Sequence, residues 1–274
     1  MTRRVLLTGA TGFVGRQILR SLQECQHAVR AVVRKGSYDR LLNPANLEVI
    51  ETADLFAEDI VWWAKVCEGI DTVIHSAWYA KPGHYLQASE NLACLEGTLT
   101  LARGCAQSNV RRFVGIGTCF EYDLNVGVLS VDTPLRPTTV YAGAKVAAFH
   151  ALSNWLPAQD VQFAWCRLFY LYGEGEPAKR LVPYLRERLT KGEAVKLTSG
   201  RQIRDYLDVR VAGRLVAEAS FSDRQGAINI CSGVSKTVRQ MAEEVADEYG
   251  RRDLLRFGAR ADNLVDPPCV VGVR

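Results

Sequence analysis

Short apolar runs recur along the chain as far as residue 168: Val5-Leu7, Val29-Val33, Leu47-Ile50, Thr72-Ile74, Phe113-Ile116 and Phe163-Leu168, separated by longer amphipathic stretches. The runs are mostly apolar, with Arg30, Glu48, Thr72 and Arg167 as the polar exceptions, as in strands covered on both faces. Strands alternating with helices build a parallel sheet with helices on both sides, so an α/β, doubly wound sheet is expected. Beyond residue 168 the rhythm changes. Gly173-Glu-Gly-Glu-Pro177 reads as a loop and a helix follows through Arg188. Shorter candidates then appear at Val195-Thr198, Val209-Ser220 and Ala227-Ile230. The expected organisation is a larger domain over 1–168 and a smaller, mainly substrate-binding lobe over 169–274, interleaved with the sheet. Such a lobe would lie at the sheet's carboxyl edge, where ligands bind in open α/β sheets.

The bulk properties exclude several function classes. With 274 residues and 48% hydrophobic content, the chain can bury a sizeable core. Its net charge of +4 comes from 34 basic and 30 acidic residues interspersed along the sequence, with no basic stripe for nucleic acid. Eight cysteines are scattered from Cys25 to Cys269 without C-x-x-C or a Cys/His metal spacing, so neither disulfides nor a metal site is expected. Free thiols fit a reducing cytoplasm. Met1 leads directly into Val5-Leu6-Leu7, too short for a signal peptide, and no run approaches the ~20 apolar residues of a membrane helix. A soluble, cytoplasmic protein without membrane or nucleic-acid partners is expected.

The first strand candidate runs into Gly9-Ala-Thr-Gly12-Phe-Val-Gly15, and Phe13 to Leu22 has helical periodicity. Glycines at a strand-to-helix turn let the backbone turn tightly, approach a pyrophosphate and pack helix on strand. The free N–H groups and partial positive charge of the helix start suit phosphates. A Rossmann-type dinucleotide site is expected, with Gly9, Thr11, Gly12, Phe13, Val14 and Gly15 against the cofactor. An NAD site usually has an acid ~20 residues on, for the ribose 2′-hydroxyl, whereas a nearby arginine suits a 2′-phosphate. Here the second strand ends Val33-Arg34-Lys35-Gly36-Ser37, with no acid before Asp39. Arg34 and Lys35 favour NADP, with NAD possible; the alternative is a solvated basic loop.

Thr139 to Trp155 reads as a helix, which puts Tyr141 and Lys145 on one face. A phenol titrates near ~10, and an adjacent ammonium together with a cationic nicotinamide can draw it toward neutrality. Tyr141 would then exchange a proton with a substrate oxygen while hydride moves at the adjacent carbon. Lys145 would also hold the ribose, and Thr118, after the Phe113-Ile116 strand, would orient the oxygen.

At these residues the chain resembles the extended short-chain dehydrogenase/reductase family of nucleotide-sugar epimerases, dehydratases and ketoreductases, over nearly its whole length. The resemblance includes Asp54-Leu55, which implies an adenine contact; Val73-Ile-His-Ser76-Ala77, which implies a cofactor wall; and Pro137-x-x-x-Tyr141-x-x-x-Lys145. It continues through Arg167-Leu-Phe-Tyr170-Leu-Tyr-Gly173 and Arg204-Asp-Tyr-Leu-Asp-Val209. In relatives that use nucleotide sugars, an arginine at the Arg204 position binds the diphosphate; the alternative is an ion pair with Asp205.

Departures from the pattern narrow the chemistry. Sugar dehydratases of the family carry Asp-Glu directly after the threonine, where this chain has Cys119 and Phe120. Synthases that epimerise and then reduce place a cysteine two residues after the threonine and a histidine later, and neither is matched here. The asparagine usual before the Gly97-Thr98 helix positions is replaced by Cys94, with Asn91 a turn earlier, so a polar contact is lost or relocated. Tyr170 replaces a frequent asparagine and, with Trp78 and Phe120, implies an aromatic sugar pocket suited to a deoxygenated hexose. Relatives usually continue into a tail with a Gly-Trp pair, so a terminal segment is expected to be absent from this sequence.

The expected activity is NADPH-dependent reduction of a nucleotide-linked 4-keto-6-deoxy-hexose. Thr118, Tyr141 and Lys145 would carry the chemistry; Trp78, Cys119, Phe120, Tyr170 and Arg204 would contact substrate. The rival readings are a 4-epimerase retaining NAD, a reductase of a non-sugar carbonyl compound, and a non-catalytic NADP sensor. The resemblance also implies a homodimer built from the helices near Leu86-Cys105 and Thr139-Trp155.

Overall fold

Each apolar run forms a strand within a residue or two of its expected ends. The computed structural model describes residues 3–43, 47–263 and 266–274. The first half of the chain runs β1 (Arg4–Thr8), α1 (Phe13–Glu24), β2 (Ala28–Arg34), β3 (Leu47–Thr52), α2 (Ile60–Val66), β4 (Thr72–His75), α3 (Glu90–Gln107) and β5 (Arg112–Thr118). It continues through β6 (Val128–Leu129), α4 (Val140–Trp155) and β7 (Gln162–Leu168). The second half comprises β8 (Tyr170–Tyr172), α5 (Leu181–Thr190), β9 (Val195–Lys196), β10 (Ile203–Asp208), α6 (Val209–Phe221) and β11 (Gly226–Ile230). It ends with β12 (Ser235–Thr237), α7 (Val238–Asp247), β13 (Leu255–Arg256) and β14 (Cys269–Gly272).

The main sheet has seven strands in the order β11-β7-β5-β4-β1-β2-β3, and every pair in it is parallel. The doubly wound α/β architecture expected from the alternation is thus present, and its strand order reverses beside β1. Successive side chains of a strand point to opposite faces, so both faces must be apolar if both are covered. Val5 and Leu7 enter one core with Ile18, Leu22 and Val216 of α1 and α6. Leu6 enters the other with Trp63, Leu101 and Leu152 of α2, α3 and α4.

The second half of the chain does not stand apart from this sheet. β11 pairs with β7 at the sheet edge, and α6 shares the first core with α1. The rest of that half builds a smaller body: a sheet in the order β12-β10-β14-β6, with β8 also on β10. A separate core there joins Leu185 of α5, Val195 of β9 and Met241 of α7. Since β8 starts two residues after β7 ends, this body begins at the carboxyl edge of the main sheet. Among the described residues no helix is long and apolar enough to cross a membrane.

Candidate active site

The glycine turn closes between β1 and α1. Gly9 has φ +74°, a conformation that side chains rarely adopt, and a Cβ there would stand 2.7 Å from the Ala77 nitrogen. A Cβ on Gly15 would stand 2.0 Å from the Gly9 carbonyl oxygen, so α1 can approach the turn this closely only through glycine. Gly12 begins α1 with no side-chain cap and no acid in the first turn, which leaves N–H groups for an anion.

A cavity of about 850 Å³ extends from this turn along the carboxyl edge. Its walls bring together Gly9, Thr11, Gly12, Phe13, Val14, Gly15, Arg34, Asp54, Leu55, Ser76 and Ala77 from the residues named above for a dinucleotide. Lys35 is not among them; residues in extended backbone alternate sides, so Arg34 facing the cavity turns Lys35 away. Ser37 and Arg40 take that place. Sequence spacing missed both, because the short 3₁₀ turn Tyr38–Arg40 brings Arg40 back until its Nη2 donates to the Thr11 carbonyl at 3.4 Å. A glycine cradle, a carboxylate at Asp54 and cations at the end of β2 form a donor set that fits a dinucleotide.

The other end of the cavity gathers Thr118, Tyr141 and Lys145 with Trp78, Cys119, Phe120 and Tyr170. Thr118 ends β5, and Tyr141 and Lys145 share a face of α4, whose start is capped by Thr139 accepting from the Ala142 N–H at 3.1 Å. Lys145 is 3% exposed and donates from Nζ to the Ile116 carbonyl at 2.6 Å. Burial lowers its pKa to about 7, against the opposing pull of Glu121.

At Tyr141 burial dominates. Burial pushes its phenol well above the ordinary range, with Tyr85 and Glu121 adding to the rise and the Thr118 hydroxyl opposing it. The ammonium of Lys145 lies 6.0 Å from the Tyr141 ring centroid, so its charge does not outweigh desolvation in the protein alone. Tyr141 therefore stands protonated at neutral pH, the state of a proton donor.

Glu121, which sequence reading overlooked, anchors this end. Its carboxylate is fully buried and accepts from Arg167 Nε at 2.7 Å, Trp165 Nε1 at 3.0 Å and the Thr118 N–H at 2.8 Å. It follows Thr118 by three residues and forms a capping box with it, a legible signal in Thr-x-x-Glu. Cys119 is 2% exposed and burial pushes its thiol up to about 12; Phe120 packs edge-on to Tyr170 at 6.2 Å. The two positions after Thr118 thus hold no acid–base pair.

Arg204 lies behind Tyr170, with its guanidinium carbon 5.1 Å from that ring's centroid, and is 4% exposed. It is not one of the cavity walls. Its Nη1 donates to the Ile203 carbonyl at 2.9 Å. Asp205 is engaged elsewhere, accepting from the N–H and hydroxyl of Ser232 and the N–H groups of Gly233 and Gly272. The alternative of an Arg204–Asp205 pair is therefore closed. Besides Arg34, Arg40 and Lys145, Lys179 and Arg180 also reach the cavity wall, just before α5, in a loop whose approach no local pattern announced.

The sequence model of the NAD-dependent epimerase/dehydratase family matches residues 5–231. Over 98% of the chain, and 99% of the relative, it is 24% identical to dTDP-6-deoxy-L-talose 4-dehydrogenase (NAD(+)) of Aggregatibacter actinomycetemcomitans. It is 28% identical to dTDP-glucose 4,6-dehydratase of Streptomyces griseus, over 91% of this chain and 80% of that one. The crystal structure of Thermotoga maritima UDP-glucose 4-epimerase with UDP-glucose superposes with a TM-score of 0.86 at 20% identity, covering 98% of this chain and 89% of that chain. With the glycine turn, the doubly wound sheet and the Tyr141/Lys145 face in one cavity, the chain belongs to the NAD-dependent epimerase/dehydratase family, of the extended short-chain dehydrogenase/reductase type.

Proposed function

We propose that the protein is an NADPH-dependent reductase of a nucleotide-linked 4-keto-6-deoxy-hexose. The observation that carries this reading is the make-up of the reacting end: a protonated Tyr141 and a buried Lys145, its pKa lowered to about 7, stand beside Thr118, while the positions that would eliminate water hold a buried thiol and a phenyl ring. Such a site delivers one proton to one oxygen and does no second acid–base step. When bound, the nicotinamide supplies the hydride. Thr118 holds the carbonyl oxygen, Tyr141 passes its phenolic proton to that oxygen, and Lys145 steadies the ribose and the phenolate left behind. Aromatic walls at Trp78, Phe120 and Tyr170 suit a sugar lacking a hydroxyl. Lys179 and Arg180 in the wall suit the diphosphate, in place of the buried Arg204.

Arg34 and Arg40 favour NADPH as a dissociable reductant, the feature that separates this reading from an epimerase that recycles tightly held NAD. Each charge-assisted contact to the 2′-phosphate contributes about 1.5–3 kcal/mol, so NADPH is expected to bind at least roughly tenfold more tightly than NADH. Arg34→Ala should erase most of that preference and barely change NADH affinity, as read by cofactor fluorescence titration. Equal losses for both cofactors would show that Arg34 reads no phosphate. The activity itself is tested with NADPH and a panel of nucleotide 4-keto-6-deoxy sugars, following absorbance of the reduced cofactor. Stoichiometric oxidation supports the reductase. Inversion at C4 of an ordinary nucleotide hexose without added cofactor establishes the epimerase instead.

We further propose a cytoplasmic homodimer that pairs α3 and α4 of two copies. Leu92 of α3 is 55% exposed, and Ala147 and Ala151 give α4 an exposed face of small residues. Light scattering should give twice the chain mass, and Ala147→Glu should halve it. A wild-type monomer sinks this proposal.

A further inference from the structure

The loop between β4 and α3 lays aromatic rings on both reacting side chains. The Trp78 ring centroid is 3.5 Å from Lys145 Nζ, and Tyr85 stands edge-on to Tyr141 with centroids 4.9 Å apart. One buried amide holds both: Asn91 Oδ1 accepts from Trp78 Nε1 at 2.8 Å, and its Nδ2 donates to the Tyr85 and Ala88 carbonyls at 2.6 and 2.9 Å. This is the polar contact that the sequence left lost or relocated, and Cys94 adds only a weak acceptor, its sulfur 3.3 Å from the Tyr79 nitrogen.

Lys145 has few other partners. The groups facing it are Glu121 beyond β5, the Cys94 thiol of α3, His75 of β4, Tyr141 on its own helix and the Trp165 ring of β7 at 5.6 Å. Burial lowers His75 to about 3, so it is neutral, and it bridges the Thr8 and Thr98 hydroxyls at 2.8 and 2.9 Å. Burial, with the Glu90 and Asp54 charges adding, raises the Cys94 thiol, so it too is neutral. Glu121 carries the one acidic charge among these groups, and Arg167 holds it at 2.7 Å.

We propose that Trp78 is a positioning residue for the reaction, its indole face serving as the counterpart of the Lys145 ammonium, and that Asn91 is the latch that fixes the indole there. The negative face of an indole favours a cation over a neutral amine, and it does so most where water is excluded. Trp78 thereby opposes the burial that would discharge Lys145 near neutral pH. The proposal rests on the reading of Lys145 as a working ammonium, and its test needs no substrate.

The test is competitive acetylation of the substrate-free protein with trace acetic anhydride across a pH series, scoring the Lys145 peptide by mass spectrometry. Removing a desolvated cation–π contact corresponds to a fall of roughly 0.4–1.5 pH units in the Lys145 midpoint for Trp78→Leu. Trp78→Phe, which keeps a ring face, should recover at least half of that shift. Asn91→Leu, which unlatches the indole without deleting it, should give a smaller fall in the same direction. A Trp78→Leu protein with native circular dichroism and an unmoved midpoint would reduce Trp78 to packing and overturn the proposal. If Trp78→Leu fails to fold, an unmoved midpoint in Asn91→Leu overturns it equally. Wild-type protein that oxidises no NADPH with any 4-keto sugar defeats the reductase reading while the labelling result stands.

Discussion

Tyr141→Phe is expected to cut turnover by at least ~100-fold while leaving NADPH affinity nearly unchanged. The substitution removes one hydroxyl and keeps the ring, so the edge contacts with Tyr85 and Trp78 survive. What is lost is the proton carrier. Because burial raises the Tyr141 pKa, the phenol holds its proton throughout the neutral range. Glu121 is locked to Arg167 and Trp165, and the Cys119 thiol faces the same desolvation as the phenol. Stopped-flow turnover with the true substrate, paired with a cofactor titration, separates the two effects. Near-normal turnover in Tyr141→Phe would mean that a different group supplies the proton.

The largest stability effect is expected at Glu121. Arg167 is 1% exposed and Glu121 wholly buried, so Glu121→Ala leaves a buried guanidinium whose remaining described hydrogen bond is to the Tyr122 hydroxyl at 3.0 Å. The Trp165 N–H and the Thr118 N–H lose their acceptor in the same stroke. Breaking one side of a buried pair costs about 3–5 kcal/mol, a large part of the roughly 5–15 kcal/mol that holds a domain folded. The melting temperature should fall by on the order of 10 °C. Glu121→Gln, which keeps an acceptor without the charge, should fall less. A Glu121→Ala melt within about 2 °C of wild type would show that Arg167 finds another partner and that the pair does not hold this end of the site together.

Much of this protein is decided by local pattern. Two-residue periodicity in Val5-Leu6-Leu7 demands apolar cover on both faces, and the only way to cover both is the layered sheet observed. Gly9 and Gly15 are needed at the turn whatever surrounds them, since φ and a 2.0 Å approach leave no room for a Cβ. Tyr141 and Lys145 share a face because four residues make about one helical turn. Other features depend on which distant segments meet, and no window of sequence contains them. Arg40 lines the cavity where Lys35 was expected because a 3₁₀ turn folds back onto the glycine loop. Arg204 and Asp205 are neighbours in sequence yet point to different partners, since alternate residues of β10 face opposite sides. The protonation of Tyr141 and the charge of Lys145 are set by burial beneath Trp78 and Tyr85 and by Glu121, groups brought together from two separate connections. Local sequence determines which side chains are available, whereas desolvation and through-space charge, which exist only once the chain has closed around them, determine their chemistry.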